Sequence, residues 1–295
     1  MMMRTRRSTR CTTVVLAAAL AMLGLATTAT AQEGEYERFE FCPYTNPEVF
    51  KCLYSVTEGG EVVLGKKKVP IVNPAVLQGG ISEPDGELVS DFFGATNGVT
   101  LSKAPQPVPG GLLGLVPPES APPLIKELLA LATENGLTGV NSTLELARPA
   151  SEIAVSELHI VFEEGVALKL PVKVKLENPL LGNNCYVGSS SSPIVWNLTT
   201  GETNPPPPNA PIHGSGGELI FKDEGLVLEL LGSELVDNAW SAPQAQGCGG
   251  LLAPLIDPII NSQVGLPSAA GNNTAILETS TAVALAETVE EQLGE

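Results

Sequence analysis

The loop Asn178–Pro193, which contains Cys185, is the feature that most constrains the fold of this 295-residue chain. The loop follows the longest run of strand-like sequence. Its Gly, Asn and Ser residues are turn formers, so we expect an ordered loop at the end of a sheet. A disulfide from Cys185 would fix this loop in place. We therefore expect a β protein with covalently held loops.

The N-terminal segment, residues 1–31, has the three parts of a cleaved secretory signal peptide. Four arginines come first, followed by the apolar run Val14–Ala26 and a small-residue cleavage pattern at Ala29–Ala31. The apolar run is too short to span a membrane comfortably. We expect a mature chain that begins at Gln32, has no transmembrane segment, and is secreted, extracellular or associated with the cell envelope.

The charge and composition of the mature chain exclude several classes of partner. Cleavage leaves 12 basic against 33 acidic residues, a formal charge of −21. Such a chain does not attract nucleic acid, and acidic membrane surfaces repel it. Gly (30) and Pro (25) are both abundant, which favours short strands joined by turns over long helices. The low aromatic content, 4%, argues against a sugar-binding cleft.

Four cysteines remain after cleavage, because Cys11 lies in the removed segment. An even number in an exported chain predicts two disulfides, and the spacings match no zinc pattern. Three pairings are possible. We favour a local bond between Cys42 and Cys52, which leaves a long-range bond between Cys185 and Cys248.

Alternating apolar and polar residues predict one mainly β domain over residues 32–285, an antiparallel sandwich or barrel-like fold. We expect a turn at Glu163–Gly165 to join two of the strands in a hairpin, and Glu218–Leu231 to form a second hairpin of the same style. We expect the acidic tail, residues 286–295, to be frayed. The other predicted strands are Glu61–Leu64, Lys67–Val72, Leu137–Ala147, Ile153–Phe162, Val166–Glu177 and Thr274–Leu285.

One insertion, residues 105–136, interrupts the β pattern. Its second half has helical apolar spacing, with prolines at the first turn and Gly136 at the end, which predicts a helix over 124–135. Its Pro- and Gly-rich first half is expected to form no regular element. We interpret the helix as closing one end of the β core. The alternative is that the insertion is a lid over an apolar cavity or a membrane-contacting element. In the lid alternative the ligand wall is Leu112, Leu115, Leu124, Leu128 and Leu131.

Three smaller patterns carry weaker predictions. Residues 68–74 and 173–179 both read Lys-Val-x-(Ile/Leu)-x-Asn-Pro, and whether this is a true internal repeat stays open. The basic run Lys66–Lys68 is interpreted as a solvated sheet edge. Pro254 and Pro258 are expected to break a late apolar run into short turns.

Few residues offer catalytic or metal-binding chemistry. His159 shares a predicted strand face with Glu157, and we expect it to be either solvent-facing or a partly buried polar residue. His213 and Ser215 lie in a glycine loop that superficially resembles an oxyanion loop, but no nucleophile elbow surrounds them. One loop clusters four acids without matching a calcium loop: Glu83, Asp85, Glu87 and Asp91. We therefore assign no catalytic, metal-binding or cofactor-binding residue and expect no cofactor.

The stretch Asn178–Gly188 and the Gly-Cys-Gly-Gly segment Gly247–Gly250 resemble uncharacterised secreted proteins of high-GC Gram-positive bacteria. The resemblance covers Val172–Pro193 and the neighbourhood of Cys248. It implies export and a disulfide, and it carries over no activity.

These patterns favour a non-catalytic secreted or cell-envelope-associated protein with a structural or interaction role. A first alternative is an extracellular carrier of an apolar small molecule or lipid, which a large apolar pocket beneath Leu112–Leu131 would favour. A second alternative is a secreted hydrolase that uses His213 or a pair of acids. Convergence of Ser215, His213 and a carboxylate would favour the hydrolase.

The exported protein is expected to begin at Gln32, because the cleavage pattern ends at Ala31. N-terminal sequencing of the form recovered outside the cytoplasm measures this directly. An exported chain that still carries Met1 would contradict the prediction.

Overall fold

The structure is a computed structural model, and it describes residues 33–86, 88–115 and 118–294. The predicted signal peptide and the predicted N-terminus at Gln32 lie outside these residues. The protein is mainly antiparallel β, with 37% strand and 22% helix, which confirms the predicted fold class.

The described residues form fourteen strands and six α-helices. In chain order the strands are β1 (Lys51–Leu64), β2 (Lys67–Pro70), β3 (Ala75–Ile81), β4 (Ser90–Gly94), β5 (Pro105–Pro107), β6 (Asn141–Leu146), β7 (Ala154–Val155), β8 (Leu168–Glu177), β9 (Tyr186–Val187), β10 (Ile194–Leu198), β11 (Glu218–Lys222), β12 (Val227–Asp237), β13 (Ala245–Gln246) and β14 (Thr274–Leu285). The helices are α1 (Glu33–Tyr36), α2 (Gly111–Leu115), α3 (Pro123–Glu134), α4 (Glu157–Phe162), α5 (Ala253–Val264) and α6 (Ala286–Leu293). None of these six helices is both long and apolar enough to cross a membrane.

β1 is the central strand of the first half of the sheet. β14 pairs with one edge along the strand, β3 and then β2 pair with the other edge, and β12 and β11 extend the sheet beyond β14. β1 carries a β-bulge between Thr57 and Gly59, and Gly60 has a φ of +102°. A Cβ on Gly60 would lie 2.1 Å from the carbonyl oxygen of Ile276, so the bulge requires glycine there.

β8 is the central strand of the second half. β6 and β7 pair with one edge and β10 and β9 with the other, while β5 extends the sheet beyond β6 and β13 beyond β9. β4 joins the two halves, because it pairs with β3 at one end and with β7 at the other.

The sheet is open in its strand order, but it curls until its halves face each other. Thr199, which directly follows β10, exchanges two backbone hydrogen bonds with Val236 of β12, with N···O distances of 3.0 and 2.8 Å. One core contains buried side chains from both halves, among them Ile81, Leu170 and Leu277. The arrangement is sandwich-like, as the sequence predicted.

A second, smaller core covers the outer face of the first half. Tyr36 and Phe39 pack there with Val289 of α6, beside the Cys42–Cys52 bond. The prediction of a frayed tail is therefore wrong for residues 286–293, which form a helix with a buried face. The spacing of Ala286, Val289 and Leu293 is the amphipathic signal that the acidic composition concealed.

Ile153–Phe162 is not a strand, contrary to the prediction. It contributes only Val155 and its neighbour to β7 and then forms α4. The hydroxyl of Ser156 accepts a hydrogen bond from the backbone N–H of His159 at 3.2 Å, and Glu163 ends the helix in the left-handed region, with a φ of +56°. An N-cap of this kind stabilises a helix by about 1 kcal/mol and here overrides the alternating pattern. Glu163–Gly165 is consequently a helix end and not a hairpin turn.

Two further predictions of secondary structure were wrong at prolines. α3 confirms the predicted helix of the insertion, but the preceding segment also forms regular elements, β5 and α2. α5 runs without a break through Pro258, because burial of Ile256 and Ile260 outweighs one missing backbone hydrogen bond. Pro254 lies in the first turn of α5, where no N–H is required.

Both predicted disulfides are present. Cys42 and Cys52 are bonded at 1.98 Å, and Cys185 and Cys248 at 2.01 Å. The carboxylate of Asp257 in α5 accepts hydrogen bonds from the backbone N–H groups of Gly247 and Cys248, at 3.1 and 2.8 Å. The long bond thus fixes the loop after β8 to the start of α5.

The N-terminal segment is tied to the sheet by a buried carboxylate. Glu229 of β12 is 3% exposed and pairs with Arg38 at 2.5 Å and with Lys222 at 2.9 Å. Burial raises the pKa of Glu229, but the hydrogen bonds and charges of Lys222 and Arg38 outweigh burial and hold this pKa below its ordinary value.

Replacing both Cys185 and Cys248 by alanine is expected to lower the free energy of unfolding by about 4 kcal/mol in the loop-entropy model. The separation closed by this bond is 63 residues, against 10 for Cys42–Cys52. The matched replacement of Cys42 and Cys52 should cost less, about 3 kcal/mol. Urea unfolding of both double variants measures the two losses. A smaller loss for the long bond would contradict the entropic explanation.

Glu229→Gln is expected to lower the free energy of unfolding by about 1–3 kcal/mol at pH 7, because two cations lose their anion. A lowered folded-state pKa stabilises above the unfolded-state pKa, and this stabilisation is lost as pH falls through the folded-state value. The difference from wild type should therefore shrink below about pH 4. Urea unfolding at pH 7 and pH 3 tests this, with Glu291→Gln on the exposed face of α6 as control. A difference that is constant with pH would contradict the assignment.

Candidate functional site

An apolar cavity lies between the two halves of the curled sheet. Strands β1, β2, β3 and β14 line it from the first half, and β6, β8, β9 and β10 line it from the second. Leu115 of α2 and Val264 of α5 also contribute to its wall. The polar side chains in the lining are Ser55, Thr57, Lys67, Ser102, Gln106, Ser142 and Thr279. No Asp, Glu, His or Arg among the described residues lines it.

The cavity is large enough for a small apolar ligand. Its volume is ≈ 130 Å³, and ≈ 1240 Å³ lies between its walls when the part open to solvent is included. An apolar cavity of about 150 Å³ in another protein stays dry and binds benzene. The smaller figure is the one to compare with such cavities, so the space between the sheet halves can accept a small apolar group.

The cavity exists because inward-facing positions carry small side chains. Ser55, Thr57 and Ala75 line it where β1 pairs with β3, and Ala104 and Ser142 line it on the opposite side. All five are only partly buried, which places them towards the mouth. Folded proteins fill such positions to close packing in an ordinary core. Short side chains at these positions therefore leave the space between the sheet halves unfilled.

Trp196 of β10 lies in the fully buried part of the lining. It is 1% exposed and packs edge-to-face on Trp240, with ring centroids 5.9 Å apart. Its indole Nε1–H has no hydrogen-bond partner among the described residues. A buried donor without an acceptor costs about 1–3 kcal/mol, so this indole is an unsatisfied polar group of the core.

Side chains close the seam where β2 and β5 approach each other. The side-chain oxygen of Gln106 accepts hydrogen bonds from the backbone N–H groups of Val72 and Asn73, at 2.8 and 3.0 Å, and its amide nitrogen donates to the carbonyl of Asn73 at 2.7 Å. The Asn73 side chain donates in turn to the carbonyl of Pro105. Because Gln106 also lines the cavity, this seam borders the candidate site.

The two Asn-Pro segments serve the same cavity from opposite halves. Val69 and Ile71 of the first segment and Val174 and Leu176 of the second all line it. The amide of Asn178 donates to the carbonyls of Leu137 and Gly139, at 2.9 and 2.7 Å. Asn73 therefore holds the start of the insertion, and Asn178 holds its end.

The lysine run is not solvated throughout, contrary to the interpretation from sequence. Lys66 and Lys68 are exposed, whereas Lys67 is partly buried and lines the cavity. The Lys67 ammonium donates a hydrogen bond to the carbonyl oxygen of Gly114 at the end of α2. Strand alternation along β2 places Lys67 and Lys68 on opposite faces, and Lys66 lies in the turn that precedes β2.

The predicted ligand wall occupies several different positions. Leu115 lines the cavity, and Leu112 is buried in the main core. Leu128 packs against that core, but Leu124 and Leu131 are 47% and 50% exposed. α3 buries a narrower face than predicted, formed by Ile125, Leu129 and Ala132. The insertion contributes to the cavity wall through β5 and α2. The residues of α3 that were predicted to form the wall are not part of the lining.

The residues considered for hydrolysis do not converge. The Nδ1 atom of His213 contacts the carbonyl of the adjacent Gly214 at 2.8 Å, and the hydroxyl of Ser215 accepts a hydrogen bond from the N–H of Gly217. Both side chains are exposed and lie outside the cavity lining. His159 is partly buried, and its Nδ1 contacts the carbonyl of Val166 at 3.0 Å.

No group of three or more described His, Cys, Asp or Glu residues is arranged to hold a metal ion. The acidic loop considered for calcium is organised by its backbone instead, since Asp85 accepts a hydrogen bond from the N–H of Val89 at 3.2 Å. Glu87 of that loop lies outside the described residues.

Carboxylates with shifted pKa values also lie outside the lining. Burial raises the pKa of Asp237, although the backbone N–H groups of Ala239 and Asn197 oppose this shift. Burial likewise raises the pKa of Glu145, but hydrogen bonds and charge from Lys103 and Lys173 outweigh it and hold the pKa below its ordinary value. These shifts belong to structural contacts, so they give the cavity no acid–base pair.

Sequence reasoning missed most of the cavity lining. The alternation within β1, β3, β8 and β14 was visible, but it does not show which strands face one another across the sheet. The available signal was the series of small residues on strand faces that are otherwise apolar.

Comparison with known proteins gave no relative: no protein-family model, no curated protein and no solved structure matched this chain.

Proposed function

We propose that this protein is a non-catalytic extracellular or cell-envelope-associated protein that binds an apolar small molecule or lipid chain between the halves of its sheet. The observation that carries the proposal is the cavity itself, an apolar space with a few polar groups in its lining. This proposal favours a carrier of an apolar ligand over a purely structural protein.

The energetics of an empty cavity support the proposal. The apolar side chains that line this space of ≈ 130 Å³ lack the packing contacts that a filled core would give them. A ligand that fills the space regains this packing and stabilises the folded state by mass action. Retaining such a cavity therefore has a physical benefit when a ligand occupies it.

Export is part of the same proposal. The signal-peptide pattern of residues 1–31 supports it, and two disulfides suit an oxidising compartment. A hydrolase is less well supported, because the cavity lining among the described residues has no His, Asp or Glu, and His213 and Ser215 bond to their own loop.

Ala75→Phe is expected to weaken binding of the neutral fluorescent probe N-phenyl-1-naphthylamine at least about tenfold, because the ring occupies the cavity and removes more than about 1.4 kcal/mol of binding energy. Titration of wild type and variant measures the two affinities. Ala269→Phe, at an exposed position, is the matched control and should bind like wild type. Equal binding by all three proteins, or no binding by wild type, would contradict the proposal.

The natural ligand can be sought directly. Native mass spectrometry of protein purified from its own host should show an additional mass that is released on denaturation.

A further inference from the structure

We propose that the ligand carries an anionic group, in chemical class the carboxylate of a fatty acid, and that Lys67 binds this group. The inference rests on the proposed function, because it names the chemistry of a ligand in the same cavity. It follows from the position, surroundings and unused hydrogen-bonding capacity of this side chain.

Lys67 is directed to the cavity by the register of its hairpin. It is the first residue of β2 and pairs with Leu64, the last residue of β1, across a turn at Gly65 and Lys66. Both Leu64 and Lys67 line the cavity, while Lys66 and Lys68 are exposed. One lysine of the run is thus withdrawn from solvent by strand alternation.

The surroundings of Lys67 supply it with no counter-charge. Among the described residues, no Asp or Glu lies in the cavity lining, and no ion pair involves Lys67. The neighbouring Lys68, by contrast, pairs with Glu61 at 2.5 Å. Transferring a charge towards an apolar environment is costly unless an opposite charge accompanies it, so this site favours an anion that arrives with an apolar body.

The ammonium group of Lys67 also has unused hydrogen-bond donors. It carries three N–H donors, and it donates one hydrogen bond, to the carbonyl oxygen of Gly114. Leu115, the next residue in the chain, lines the cavity. A carboxylate beside Lys67 would therefore have the apolar wall immediately adjacent to its chain. A charge-assisted hydrogen bond of this kind is about twice as strong as a neutral one.

This geometry also gives selectivity within a protein that is otherwise strongly acidic. Excluding residues 1–31, the chain carries a formal charge of −21, which disfavours anions at most of its surface. Lys67 is the cation in the lining, so an anionic lipid is favoured there and an uncharged lipid of the same length is not.

The test compares decanoate with decan-1-ol, which share an apolar chain and differ in the head group. Binding to the full chain with both disulfides formed is followed by calorimetry and by tryptophan fluorescence, since Trp196 lines the cavity. Wild type is expected to bind decanoate about 10- to 100-fold more tightly than decan-1-ol. Lys67→Met should remove most of this preference and leave decan-1-ol binding within about threefold of wild type.

Lys68→Met is the matched control, because it removes the same charge one residue along the strand on the solvent side. It should keep the preference for decanoate. If Lys67→Met fails to fold, as judged by circular dichroism, the preference of wild type and its decrease with added salt still decide the question.

Equal binding of decanoate and decan-1-ol by wild type would overturn the inference and leave the proposed function intact. Undiminished decanoate preference in Lys67→Met would do the same. Failure of both ligands to bind wild type would overturn the inference together with the proposed function.

Discussion

Near the mouth of the cavity, the two halves of the sheet face each other across side chains that are too short to fill the space between them. Ser55, Thr57 and Ala75 on one side and Ala104 and Ser142 on the other leave a gap that close packing would normally eliminate. The gap persists because other contacts fix the spacing of the halves. Thr199 and Val236 join them through the backbone, and the buried disulfide from Cys185 anchors the end of β8. The rigidity of the surrounding frame thus allows an underpacked interior.

Local signals in the sequence were sufficient for much of the fold. Thr274–Leu285 coincides with β14, Glu218–Leu231 is a hairpin, and both disulfide pairings are present. Errors arose where a single residue and a longer pattern favoured different structures. The side chain of Ser156 capped a helix within an alternating segment, and burial of Ile256 and Ile260 kept a helix intact around Pro258. The acidic composition of the C-terminus led to the wrong prediction of a frayed tail, whereas α6 has a buried face.

The candidate site was far less predictable than the fold. An apolar insertion drew attention to Leu124 and Leu131, which face solvent, because helical spacing shows that one face is apolar without showing its partner. The lining instead combines single residues from strands that are distant in sequence, such as Leu77, Leu170 and Leu277. Lys67 was hidden in a run of three lysines, and only the pairing of β2 with β1 separates it from its neighbours.

The bulge in β1 determines which residues the cavity presents. Before the bulge the inward side chains have odd numbers, Ser55 and Thr57, and after it they have even numbers, Val62 and Leu64. One extra residue thus inverts the facing of half a strand. Thr57 pairs with Thr279 and Val62 with Ala275, so five residues of β1 span four of β14, and the pairing with β14 keeps Val62 on the inward face. Alternation counted along β1 as if it were unbroken would therefore assign the residues on one side of the bulge to the wrong face of the sheet.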